Sequence, residues 1–235
     1  MPEVAPALHV DAPTGTARAV VLVLHGGRSR SHMRARAGQL AVLRMQPFVT
    51  SLRRAGRSHG LVVARVRYRY RGWNGDEQSP VPDVRWALRQ LDERFGALPS
   101  ALVGHSMGGR AAMYAAGHPS VTTVVGLAPW IEPGDPVTPL AGRALLVAHG
   151  TGDRMTSNVE SARFTREAAA VTRSASYVAV DNDAHAMLRR APVWHQLSTG
   201  FVLAGLLGTD PDGTVPEPIA KIVSRALAGD ARLEV

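Results

Sequence analysis

Apolar residues run along this chain in two alternating patterns. Residues 17–24 form an unbroken apolar run after Arg18, as expected of a strand buried on both faces. Shorter runs at 101–103, 121–127, 143–149 and 175–180 read as further buried strands, the last of them closing the sheet, and 9–11 as a short first strand. Residues 61–70 differ. Arg65, Arg67 and Arg69 alternate with Val66, Tyr68 and Tyr70, a period of two that predicts a strand near the sheet edge with one wet face. Between the runs lie stretches with helical spacing. In 81–95, Val84, Leu88 and Leu91 share a face, and Gly96 and Pro99 close the helix. Helices are also predicted at 46–54, 107–116, 158–171, 192–207 and 217–227, while 28–40, polar and basic, reads as a loop. Strands alternating with helices predict an α/β fold in one domain, 1–235, with a mainly parallel sheet and its sites at the strands' carboxyl ends.

Composition narrows this picture. The 235 residues suit one domain with a full core, and 45% hydrophobic content is ordinary for a globular chain. With no cysteine there is no disulfide framework, thiolate nucleophile or cysteine metal site. No signal-peptide pattern opens the sequence, and the longest apolar stretches are too short to span a bilayer, so the expectation is a cytoplasmic protein. The net charge is +8, carried almost wholly by arginine, with Lys221 the single lysine. These arginines are spread along the chain, which reads as compositional bias rather than a polyanion site.

The candidate chemistry sits where the strands end. Gly104-His105-Ser106-Met107-Gly108 joins a short apolar run to a helix former, so Ser106 stands at the tip of a sharp strand-to-helix turn. Glycines on both sides remove Cβ atoms that would clash there. The Met107 amide, at the helix start, is free to face a developing negative charge. His25-Gly26-Gly27 follows the first buried run, and Gly27 is the natural second amide donor of an oxyanion hole. His149-Gly-Thr-Gly-Asp153 places a carboxylate after the penultimate predicted strand, where it can fix a histidine tautomer. Asp181-Asn-Asp-Ala-His185 places a histidine after the last, where it can act as general base and then acid. Asp135 is the serious rival to Asp153 for the acid. Asp181 and Asp183 share the loop of His185, which leaves poor geometry. His25 and His105 are expected to orient their loops and His149 to be structural. His32, His59, His118 and His195 have no ligand spacing, so no metal is expected.

The chain order Ser, Asp, His is that of α/β-hydrolases. On His25-Gly26-Gly27, Gly104-His105-Ser106-Met107-Gly108-Gly109, His149-Gly-Thr-Gly-Asp153 and Asp183-Ala-His185, the sequence resembles the α/β-hydrolase superfamily over nearly its whole length. Likeness to dienelactone hydrolases is weaker, since those carry a cysteine nucleophile. The resemblance implies a serine hydrolase of carboxylic esters or related acyl compounds, resolving an acyl-enzyme with water and needing no cofactor. Ser106, Asp153 and His185 would be the catalytic residues, with the Gly27 and Met107 amides in the oxyanion hole. An acyltransferase or peptidase would use the same triad, and a non-catalytic ligand-binding member of the fold is the reading from another class.

In this superfamily a cap is often inserted after the strand that ends here at Trp130. Only residues 131–142 precede the next strand, and Pro133, Pro136 and Pro139 oppose a long helix there. No large cap domain is therefore expected, and the site should be open, with Trp130, Met107 and Met187 as apolar walls. The expected partner is a small acyl substrate with a short acyl group, without nucleic acid, membrane or activation at a lipid interface. Residues 28–36, rich in arginine, would favour anionic acids.

Overall fold

The structure, a computed structural model, describes residues 5–235. Eight strands form one sheet: β1 (Ala7–Asp11), β2 (Ala19–Leu24), β3 (Leu61–Arg67), β4 (Ser100–His105), β5 (Val121–Leu127), β6 (Ala144–Gly150), β7 (Ser174–Val180) and β8 (Arg232–Glu234). Their order is β1-β3-β2-β4-β5-β6-β7-β8. Only β1 runs antiparallel, pairing Ala7 with Arg67 and Asp11 with Val63; every other neighbouring pair is parallel. β2, β4, β6 and β7 are buried along their entire length. Such strands have no polar face to show, which is why they read as continuous apolar runs.

The helices are α1 (Leu40–Leu43), α2 (Gln46–Gly56), α3 (Pro80–Phe95), α4 (Met107–Ala115), α5 (Asn158–Ala168), α6 (Ala191–Leu207) and α7 (Ile219–Ala228). The two faces of the sheet bury separate cores. Val21 and Val23 pack with Phe48 and Leu52 of α2, with Trp194 and Phe201 of α6 and with Val223 of α7. Val20, Leu22 and Leu24 pack with Val84 and Leu88 of α3, Met113 of α4 and Phe164 of α5. Alternate side chains of one strand thus feed opposite layers, as the pleat requires.

Three expectations change. β7 is not the last strand: β8 adds beyond it, pairing Val178 with Leu233. Its three residues, Arg-Leu-Glu, are too few to show a period. β3 stops at Arg67, and its arginine face is only half-exposed. Arg65 donates to Oε1 of Gln46 at 3.1 Å, and Arg67 donates to the Ala35 carbonyl at 3.0 Å, so residues 28–46 fold back over that face. The short helix α1 starts where the expected loop 28–40 ends, in residues that carry no assignment from the sequence.

Between β5 and β6 the chain is irregular apart from one 3-10 turn, Thr138–Leu140. No cap is inserted at this point. The carboxyl ends of the central strands lie open under the β2–α1, β4–α4, β6–α5 and β7–α6 connections.

Candidate active site

Ser106 follows the last residue of β4 and precedes the first residue of α4. Its backbone is at φ 55°, ψ −121°, a region costly for a residue with a Cβ. The neighbours hold it there. A Cβ on Gly104 would sit 2.2 Å from the Gly108 carbonyl oxygen, and one on Gly108 would sit 2.6 Å from the carbonyl oxygens of Leu24 and His25. Only hydrogen at these two positions lets β4, α4 and the end of β2 come so close. The Ser106 amide donates to Leu127 O at 3.0 Å, and its carbonyl accepts from the Trp130 amide at 3.1 Å. Both flanking peptides are therefore tied to the next strand's end.

His185 reaches over from the β7–α6 connection. Its Nε2 lies 3.1 Å from Ser106 Oγ, and its Nδ1 lies 2.8 Å from Asp153 Oδ2. With Nδ1–H donating to the carboxylate, Nε2 is the acceptor facing the serine hydroxyl. His105, the residue before the serine, has its Nε2 2.9 Å from the His185 carbonyl oxygen and so donates to it, fixing the loop that carries the base. Burial, followed by the nearby His185, pushes the His105 imidazole down to about 3, so it is a neutral spacer rather than a second charge.

Asp153 is the most heavily solvated carboxylate in the site, and its solvent is protein. Oδ2 is approached by His185 Nδ1, by His149 Nε2 at 3.0 Å and by the Thr156 hydroxyl at 2.8 Å. Oδ1 accepts from the Met155 amide at 2.8 Å and the Thr156 amide at 3.1 Å. Burial acts to raise its pKa, but the bonds from His149, His185 and the two amides outweigh burial, and the group lies well below the usual carboxylate range. It stays ionised, which is what a partner for a transient imidazolium must do.

Two of these donors sharpen the sequence reading. His149, expected to be structural, bonds the acid directly, while its Nδ1 lies 2.9 Å from the hydroxyl of buried Ser161. Thr156 is a further partner: its hydroxyl is 3.1 Å from His185 Nδ1 as well as bonding Asp153. A lone threonine in a loop carries no pattern, whereas a histidine four residues before the acid was visible as part of the motif.

Asp135, the rival acid, is occupied elsewhere. It accepts from Arg110 Nη2 at 2.6 Å, from the Tyr114 hydroxyl at 2.7 Å and from the Glu132 amide at 3.0 Å, with no histidine among its partners. Arg110 in turn lies 4.4 Å from the Trp73 ring and 4.7 Å from the Trp130 ring. Asp183 anchors the base loop: it accepts from the amides of Ala184 and Arg190 and from the Trp194 indole N–H.

The proposed oxyanion donors lie beside the serine. Met107 opens α4, so its N–H has no acceptor one turn back. Gly27 is exposed, and a Cβ there would meet Met107 Cε at 2.4 Å and Arg71 O at 2.4 Å. Among the described residues, neither amide has another acceptor. His25 sets the orientation of the Gly27 peptide. Its Nε2 accepts from the Tyr68 amide at 3.3 Å, so Nδ1 carries the proton and donates to Gly26 O at 2.7 Å. In a trans peptide the Gly27 N–H then points the opposite way. Burial pushes His25 down to about 4, which keeps this tautomer in place at neutral pH.

Of the expected apolar walls, Trp130 is half-buried and tied to Ser106 through its amide. Met107 is buried against Gly27. Met187 does not face open space: it is 3% exposed and packs in the core with Trp194. Its φ of 57° turns the chain inward after the base loop, an effect of backbone geometry that apolar spacing does not reveal. Among the described residues, no three His, Asp or Glu side chains are gathered as a metal site, and no helix is long and apolar enough to cross a membrane.

Comparison with solved structures finds the same architecture at low identity. A putative alpha/beta hydrolase from Agrobacterium tumefaciens, of unknown function, matches with TM-score 0.68 and 14% identity over 90% of this chain and 94% of that one. An a/b serine hydrolase without lid from Xanthomonas campestris matches at 0.58 and 18%, over 85% and 87%. The esterase domain of a Rhodothermus marinus protein matches at 0.52 and 18%, over 77% and 85%. Curated proteins give no significant match. The family model for the alpha/beta hydrolase family covers residues 20–235, which is the whole described sheet except β1 and the first residue of β2, and the chain belongs to that family.

Proposed function

We propose that the protein is a serine hydrolase of short-acyl carboxylic esters. The observation that carries this reading is the continuous hydrogen-bonded line from Ser106 Oγ through His185 to Asp153, at 3.1 and 2.8 Å, on a strained turn. In the reaction, His185 Nε2 takes the hydroxyl proton as Ser106 Oγ attacks the ester carbonyl. Negative charge develops on the carbonyl oxygen, towards the Gly27 and Met107 amides. The tetrahedral species collapses as His185 returns the proton to the leaving alcohol. Water, deprotonated by the same imidazole, then releases the acid and regenerates Ser106. Asp153 stays ionised throughout. No cofactor takes part in these steps.

The short-acyl preference rests on the uncapped connection between β5 and β6. Without a cap, few methylenes of an acyl chain leave water, and each is worth about 0.8 kcal/mol when fully buried. The test is kcat/KM over a graded series of p-nitrophenyl esters. The ratio is expected to level off after a short acyl group; a steady rise to long fatty acyl esters would show a deep tunnel and overturn the open-site reading. Acyl transfer to an added alcohol or amine in the same assay would favour the acyltransferase alternative.

A further inference from the structure

Among the described residues, the large apolar side chains standing most exposed are Met33, Leu40, Leu43, Met155, Val159 and Leu188, from 47% to 78%. All six lie at one edge of the sheet. Met33, Leu40 and Leu43 follow β2 and the Gly27 turn. Met155 and Val159 follow β6, two and six residues after Asp153. Leu188 follows β7, three residues after His185. This is the edge that carries Ser106. The strands involved, β2, β6 and β7, span four strand-to-strand steps of the sheet, about 20 Å. Packing of α2 on α6, through Phe48 and His195, brings the two outer groups toward each other.

Each apolar group has exposed arginines beside it: Arg34 and Arg36 near Met33, Arg154 next to Met155, and Arg189 next to Leu188. Exposed acids on this edge are Asp76, Glu77, Glu132 and Asp181. Two of them are already paired, Glu77 with His32 and Glu132 with Arg110. The edge is thus apolar and cationic together.

We propose that this edge docks reversibly on an anionic lipid surface, setting Ser106 against the membrane plane. Isolated apolar side chains on separate connections, each flanked by arginine, make no groove for a protein segment. An interface accepts them in any arrangement, because each inserts on its own among acyl chains while its neighbouring guanidinium pairs with phosphate. The cytoplasmic leaflet supplies the complementary charge. This partner departs from the expectation of no membrane partner, because the arginines look scattered along the chain, whereas the fold brings Arg34, Arg36, Arg154 and Arg189 to the edge that holds the exposed apolar residues. The docking is independent of the esterase reading, because it is read by binding.

The test is co-sedimentation with vesicles of phosphatidylcholine alone and of phosphatidylcholine mixed equally with phosphatidylglycerol. The variants are Leu40→Asp with Leu188→Asp, and Arg36→Glu with Arg189→Glu, each with thermal unfolding as the check on folding. The expected result is binding to the anionic vesicles only, weakened by salt. Each Arg→Glu change reverses a charge and should weaken it by more than about fivefold, the effect of one lost arginine, and the leucine pair by about tenfold or more. Both variants should keep the parent's unfolding temperature. No binding to anionic vesicles would overturn the proposal. So would binding that the leucine pair leaves unchanged and that heparin matches, because the edge would then be a polyanion patch.

Discussion

At the residue scale, geometry favours Asp153 over Asp135 as the acid of the proposed triad. Sequence spacing left Asp153 and Asp135 in competition. The structure gives Asp153 to His185 and Asp135 to Arg110 and Tyr114. The two substitutions should therefore fail in different ways. Asp153→Asn should lower kcat by about 10⁴-fold, since the wrong tautomer of His185 is then favoured, with the fold retained. Asp135→Asn should leave kcat within a small factor but lower stability by about 1–3 kcal/mol, because it removes the buried one of the two carboxylates that pair with Arg110 and leaves only Glu132. Steady-state kinetics and urea unfolding of both variants check this, and a reversed pattern would reassign the acid. Ser106, His185 and Asp153 were legible because each follows a strand with a turn of restricted composition. Thr156 and the burial of Met187 were not. They depend on where a loop backbone turns after its motif, and no side-chain pattern encodes that.

At the element scale the determinant is close approach between the end of β2, β4 and the start of α4. Gly104→Ala would drive a methyl group into the Gly108 carbonyl at 2.2 Å, a contact with backbone that cannot yield. Overpacking of this kind costs about 1–3 kcal/mol or more and should displace Ser106 from His185, so stability and turnover fall together. Gly38→Ala, where a Cβ meets nothing within 4 Å, is the matched control and should change neither. Thermal unfolding and ester turnover of the pair test this. The buried strands were legible because both their faces meet helices, which leaves an unbroken apolar run. β8 is not legible because only Leu233 of its three residues is buried, and the half-burial of the β3 arginines is not legible because it depends on residues 28–46 folding over them.

At the scale of the whole molecule, burying two neutral histidines at the site links stability to pH. His25 and His105 have folded-state pKa values of about 4 and about 3, against about 6.5 in the unfolded chain. Above the unfolded value both states are neutral and nothing is lost. Below it the unfolded chain takes up protons that the folded chain refuses. Stability should fall by up to about 1.4 kcal/mol per pH unit for each histidine as the pH drops from 6.5 towards 4. Asp153 and Asp183 act with the depressed carboxylate sign, and their contribution is lost only at still lower pH. Urea unfolding across this range checks the slope, and a flat profile down to pH 5 would contradict it. The open edge and the triad beneath it make the molecule an esterase only if Ser106 is the group that is acylated. The most direct measurement is hydrolysis of p-nitrophenyl acetate by the parent and by Ser106→Ala, with trapping of the serine by a fluorophosphonate. The expected result is a loss of about 10⁶-fold in turnover, with label on Ser106 in the parent and none in the variant. A variant that keeps most of the activity, or takes the label elsewhere, would contradict the mechanism.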